Sequence, residues 1–215
     1  GVEFVYKEHK ILDEKYSLQG LPASYRNNNE KVSTLEITLM DDITQIEVKL
    51  LYGVFEEKDI ITRATKVVNL GKEKINLLKV DSVSLDKNLE KELDVIHFHG
   101  RHNMERQYER TAIGNSMFSI GSHRGSSSHQ HNPFMILCDK ETTEAYGESY
   151  GMMLMYSGNF LGTVEKTQFN QVRSTMGIGR KGFRYPLEKG EEFIAPEVIL
   201  SFSNDGLTKL SQNYH

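Results

Sequence analysis

Residues 31–54 read KVSTLEITLMDDITQIEVKLLYGV. Leu35, Ile37 and Leu39 alternate with Thr34, Glu36 and Thr38, and Asp41-Asp42 breaks the run. Ile46, Val48, Leu50, Tyr52 and Val54 then resume the alternation, with Glu47 and Lys49 between them. A period of two sends successive side chains to opposite faces. The stretch therefore predicts an antiparallel hairpin with one wet face.

The same period dominates on either side. A second hairpin is expected from residues 60–69, a turn at Leu70-Gly71-Lys72, and residues 74–85. Further strands are expected at 94–99, 116–121, 133–139, 151–157, 171–176 and 193–202, with Gly158, Gly182 and Gly190 at turns. Residues 86–93 are too few and too charged to be read as a helix. Asn204-Asp205-Gly206 opens a better helical stretch, in which Leu207, Leu210 and Tyr214 fall at i, i+3 and i+7. So many strands with one late helix predict two large antiparallel sheets packed face to face.

The chain has 215 residues, enough for a substantial core in one domain. No shift in composition divides it. A formal charge of −4 argues against general nucleic-acid binding, which needs a dense positive face. The apolar runs are too short to span a bilayer. The single cysteine, Cys138, permits no internal disulfide and sits in the apolar run Phe134 to Cys138, as a buried small hydrophobe would. No signal peptide is visible, but the first residues are Gly-Val-Glu rather than Met, so the sequence is expected to be a piece of something longer.

The densest polar segment is SIGSHRGSSSHQHNPF, residues 119–134. Its hydroxyls, imidazoles and amides suit a polar ligand such as a sugar, whose hydroxyls both donate and accept. Serine and asparagine equally well bond their own backbone in a long connection. His129 and His131, two apart on a strand, would share a face, as would His97 and His99. An H-x-H pair with a downstream acid resembles the cupin metal motif. Here Glu105 is too distant and the expected glycine is missing, so no metal is assigned. The serine cluster lacks a Gly-x-Ser-x-Gly elbow, and residues 177–182 lack phosphate-loop spacing. Glu144, Glu148 and Glu165 are carboxylates of the type used in glycoside hydrolysis, and none is assigned a catalytic role.

Several ordered motifs carry a family resemblance. They are Gly125-Ser-Ser-Ser-His129-Gln-His131-Asn132-Pro-Phe134, Gly147-Glu-Ser-Tyr-Gly151, Tyr156-Ser-Gly-Asn-Phe160, Pro196-Glu197 and the final Ser-Gln-Asn-Tyr-His215. Upstream stand Gly20-Leu-Pro22, Thr34-Leu-Glu-Ile37, Val54-Phe55 and Ile61-Thr-Arg63. Together they resemble the N-terminal region of α-galactosidases of glycoside hydrolase family 36, over nearly the whole chain. Glu105-Arg106 match the pattern, whereas His102 and Met104 stand where the family shows a tryptophan and a further arginine.

The resemblance implies an all-β fold: a large two-sheet antiparallel β-supersandwich, galactose-mutarotase-like, with a short C-terminal helix. Residues 1–215 would form this N-terminal domain without its first part and without the (β/α)8 catalytic barrel that follows it. The parent enzyme would hydrolyse terminal α-galactosides of the melibiose and raffinose type with retention, through two barrel aspartates. No catalytic residue, cofactor or metal is then expected in this chain. The domain is expected to support the barrel and homo-oligomer assembly, often as a tetramer, in a cytoplasmic enzyme with no nucleic-acid or membrane partner. Arg124, Ser128, His129, His131 and Asn132 are the candidates for a loop facing the barrel or its substrate. An independent carbohydrate-binding module is the alternative, although sugars are often stacked on tryptophan and the chain has none. A mutarotase-like or cupin-like enzyme is the other alternative.

Overall fold

The computed structural model describes residues 1–27 and 29–215. The chain begins with β1 (Val5–Leu12), β2 (Val32–Asp41), β3 (Ile46–Phe55), β4 (Ile60–Asn69), β5 (Ile75–Leu77) and β6 (Asp81–Asn88). It continues through β7 (Leu93–Arg101), β8 (Met104–Ala112), β9 (Phe118–Ser122), β10 (His131–Asp139) and β11 (Ser149–Leu154). The last elements are β12 (Phe160–Lys166), β13 (Gln171–Ile178), β14 (Tyr185–Leu187), β15 (Glu192–Ile194), β16 (Val198–Ser203) and α1 (Gly206–Asn213).

A ten-stranded antiparallel sheet has the order β1-β2-β3-β4-β16-β11-β10-β7-β8, with β15 also on β4. A four-stranded sheet, β6-β13-β12-β9, packs over one part of it, and β14-β5 forms a small third sheet. The main core lies between the two larger sheets. Val95, Met135, Leu137, Met152 and Val198 of the large sheet meet Val83, Ile120, Phe160, Val164, Val172 and Met176 of the smaller. This is the expected sandwich. The period of two supplies it, because each strand lends alternate side chains to the interior.

The hairpin of residues 31–54 forms with the expected register, Leu35 opposite Tyr52 and Leu39 opposite Val48. Its second face is not wet. Thr34 is only 1 % exposed: its hydroxyl donates to the Glu14 carbonyl at 2.6 Å and accepts the Tyr16 N–H at 3.1 Å. The segment before β2 therefore lies across that face, where Leu18 packs on Leu51 and Ala64. Threonine serves a covered face as well as a solvated one once its hydroxyl is paired.

Two other expectations need correction. Residues 60–69 and 74–85 do not pair with each other. β4 pairs with β3, β15 and β16, whereas β5 joins β14 and β6 joins β13. The Asn69 amide donates to the Glu73 and Leu187 carbonyls at 2.8 and 2.9 Å, holding the turn open towards β14. Ile75, Leu77 and Val80 pack in one cluster and Val83 in another, so apolar alternation continues across the crossing between sheets and hides it. Residues 193–202 are likewise two strands. Pro196 has no N–H for the ladder, and β15 and β16 flank it on the same neighbour β4.

The break at Pro196 turns Glu197 inward, where it is fully buried. Its Oε1 accepts the Lys15 ammonium at 2.6 Å, and its Oε2 accepts the Ser24 N–H at 2.6 Å and the Ser24 hydroxyl at 2.9 Å. Burial lowers the Lys15 pKa, and the Glu197 carboxylate opposes that shift. This clasp ties the covering segment to the sheet.

The helix appears where the spacing places it. Leu207, Leu210 and Tyr214 pack on Ile96, Ile136 and Cys138. Its first N–H groups are satisfied by loop carbonyls: Gly206, Leu207 and Thr208 donate to Gly147, Thr143 and Glu144 at 3.0 Å each. Gly206 has φ +84, and a Cβ there would lie 2.5 Å from the Tyr146 nitrogen. Cys138 is buried beneath this helix, and burial pushes its thiol up to about 11.

Candidate functional site

The loop between β9 and β10 is tied at both ends. The Ser122 hydroxyl donates to the Ser126 carbonyl at 2.6 Å, and Gly125 turns with φ +88. Gly125 N–H donates to the Asn159 Oδ1 at 2.7 Å, and Ser127 N–H to the Ser157 carbonyl at 2.7 Å. Two stretches far apart in sequence, residues 125–134 and 156–160, thus form one surface. Tyr150 and Tyr156 pack against the core and Phe160 lies within it, as packing side chains.

The β7–β8 hairpin supplies the opposite wall. Gly100 sits where a Cβ would come within 2.4 Å of the Met104 carbonyl oxygen, and its N–H donates to Gln130 at 3.3 Å. Asn103 and Arg106 take left-handed backbone, with φ 64 and 57. Asn103 N–H donates to the Glu105 Oε1 at 3.0 Å. Backbone N–H groups hold the Glu105 carboxyl below the usual carboxylate range, with the nearby His129 adding to the effect. Between the walls is a polar cavity of about 530 Å³ lined by Glu105, Arg106, Ser127, Ser128, His129, Asn132 and Pro133.

Ser128, His129 and Asn132 therefore converge, and the structure leaves Arg124 and His131 outside the cavity. Arg124 is exposed on the loop. His129 and His131 do not share a strand face, because β10 begins only at His131 and a one-turn bridge joins Ser128 to His131. His131 pairs instead with His99 across the sheet. Glu105 and Arg106 join the cavity from the β7–β8 hairpin. The signal for them was the polar turn His102-Asn103, which brings the ends of two strands beside the histidine loop.

Glu105 is the one carboxylate among the lining residues. Retaining glycoside hydrolysis needs two carboxyl groups roughly 5 Å apart. The other acidic candidates are dispersed. Glu144 accepts the Thr208 hydroxyl at 3.1 Å, Glu148 accepts Lys87 and Tyr150 at 3.4 and 3.1 Å, and Glu165 lies opposite Arg173. Among the described residues no group of three His, Cys, Asp or Glu is placed to hold a metal ion. None of the described helices is long and apolar enough to cross a membrane. What the cavity offers is a guanidinium, an imidazole, a side-chain amide, two hydroxyls and one carboxylate, a donor-rich set for hydroxyl groups.

A model of the glycosyl hydrolase family 36 N-terminal domain matches residues 1–188. The chain belongs to this family. It is 49 % identical over 215 residues to the bifunctional α-galactosidase/sucrose kinase AgaSK of Mediterraneibacter gnavus, covering 100 % of this chain and 23 % of that protein. It is 41 % identical over 210 residues to the α-galactosidase AgaA of Geobacillus stearothermophilus, covering 98 % of this chain and 29 % of AgaA. The solved structure of AgaA superposes with a TM-score of 0.97 over the whole of this chain and 30 % of that one, at 40 % identity. This family 36 domain thus spans 23–30 % of the length of these relatives. Its sandwich is the N-terminal domain of that architecture.

Proposed function

We propose that the chain is the non-catalytic N-terminal sandwich of an α-galactosidase acting on terminal α-galactosides of the raffinose type. The observation that carries this is the match of the whole chain to AgaA at a TM-score of 0.97. A variant of AgaA has been solved in complex with raffinose and another with stachyose. Residues 1–215 serve as one domain, and hydrolysis belongs to a catalytic barrel in the rest of the parent protein. The barrel supplies the two carboxyl groups that retention needs.

The domain's own part is to dock on that barrel and support oligomer assembly. An apolar groove of about 600 Å³, lined by Val54, Ile61, Leu200 and Phe202 among others, supports burial against further protein. The cavity of Arg106, Ser128, His129 and Asn132 faces the barrel or its substrate, where a fork of N–H donors fits sugar hydroxyls. Arg124 extends the same loop.

The test is Arg106→Ala and His129→Ala in the parent enzyme. If the cavity contacts sugar, kcat/KM for raffinose falls by about tenfold for each, on the scale of one lost charged or polar contact, while the thermal midpoint stays unchanged. Unchanged kinetics in both variants would remove the cavity from the substrate path. Calorimetry with galactose separates the alternative: millimolar or tighter binding by the isolated chain would make it a carbohydrate-binding module in its own right.

A further inference from the structure

Three imidazoles and one carboxylate meet at the β7–β8–β10 end of the large sheet, beside the candidate cavity. His97 pairs across the ladder with Glu109, and His131 with His99. The Nε2 atoms of His97 and His99 lie 3.5 and 3.3 Å from the same Glu109 oxygen, Oε2. The His97 ring is 5.9 Å from His99 and 6.3 Å from His131, centroid to centroid. His97 is only 5 % exposed, and its ring lies 5.1 Å from Phe118 of the opposing sheet. The Nδ1 atoms of His97 and His131 are buried and have no hydrogen-bond partner among the described residues.

From this geometry we propose that His97, His99, His131 and Glu109 form a proton-operated latch that holds the histidine loop closed at neutral pH and releases it on acidification. If neutral His97 carries its proton on Nε2, the nitrogen that faces Glu109 at 3.5 Å, its Nδ1 has only a lone pair, and leaving that unpaired is tolerable. Protonation puts an N–H on that buried nitrogen with nothing to accept it. It also sets the imidazolium charges of His97 and His131 against one carboxylate. Among the described residues the titratable groups acting on the His97 and His131 rings are His97, His99 and His131 themselves and Glu109, from β7, β10 and β8, while β9 presents Phe118 and carries no charged residue.

Burial, with repulsion from neighbouring histidines, lowers the pKa of both His97 and His131. Groups with depressed folded values bind fewer protons in the folded state than in the unfolded one. Their stabilisation is complete above the ordinary histidine value of about 6.5 and is lost as pH falls through the folded values. The release reaches the cavity because the same strands form its walls. His131 bridges to Ser128, the Gly100 N–H beside His99 holds Gln130, and β8 carries both Glu109 and Arg106. The latch rests on the histidine geometry and is independent of the galactosidase assignment.

The experiment is amide hydrogen exchange and histidine NMR titration of this chain from pH 7.5 to 5. Protection of residues 127–131 should fall at least tenfold between pH 7.5 and 5, together with titration of His97 and His131 at pH values below 6.5. Glu109→Gln removes the carboxylate that favours imidazolium, so the transition should move to lower pH. His97→Phe should abolish the His97-linked part while keeping protection at pH 7.5; if that variant does not fold, Glu109→Gln decides alone. Equal protection at pH 7.5 and 5, or no shift in the Glu109→Gln transition, would overturn the latch. So would stoichiometric zinc in the purified chain that perturbs these histidines and is removed by chelator.

Discussion

The Lys15–Glu197 clasp makes a quantitative prediction. Both side chains are buried, at 5 % and 0 % side-chain exposure, and the carboxylate takes three donors. Glu197→Ala strands an ammonium and the Ser24 N–H in the interior, at a cost of about 4 kcal/mol. For a chain of this size that lowers the thermal midpoint by about 12 °C. Lys15→Met leaves Glu197 with the two Ser24 donors and should cost less, about 3 kcal/mol. The double variant Lys15→Met with Glu197→Leu removes both charges, leaving only Ser24 unpaired, and should cost about 2 kcal/mol, less than either single change. The assay is urea unfolding at pH 7.5 with far-ultraviolet circular dichroism, comparing midpoints at equal m-value. A single-variant cost below about 1 kcal/mol, or a double variant equal to the sum of the singles, would refute the reasoning that burial of the pair sets the energetics.

Other changes test the core and its neighbours. Phe160→Ala empties a fully buried site between the two larger sheets and should cost about 3–5 kcal/mol, read by the same unfolding assay. Arg110 bonds Asp94 and the carbonyls of Asp139, Lys140 and Thr142 at 2.6–2.9 Å, so Arg110→Lys, which lacks the planar fork, should cost about 2 kcal/mol and raise amide exchange after β10. Cys138 should resist alkylation at pH 8 in the folded chain and react on denaturation, because its thiol is buried and raised to about 11; rapid native labelling would show that α1 does not cover it.

The elements legible in the sequence are those with one face in the core. The β2–β3 hairpin and the α1 stripe both bury a regular set of apolar side chains, and both were readable from spacing. β1 and β8 leave no such trace. Each is an edge strand, exposed along nearly its whole length, so nothing selects alternation in VYKEHKIL or MERQYERTA. Crossings between sheets were hidden because residues 75–83 remain apolar on both sides of the crossing. The candidate cavity was half legible. Ser128, His129 and Asn132 stand out by local density, whereas Arg106 reaches them only through strand pairing. His131 opens β10, two residues before the strand start expected at 133, so it lies against His99 on the sheet rather than in the cavity.

This sandwich carries the family's N-terminal architecture, and the proposal that it is non-catalytic on its own has one direct test. The direct measurement is hydrolysis of raffinose and of a chromogenic α-galactoside by the purified 215-residue chain, beside the full parent protein under the same conditions. The account predicts turnover by the parent and none by the chain above the uncatalysed rate. Turnover by the chain alone, lost on substitution of one of its own carboxylates, would contradict it.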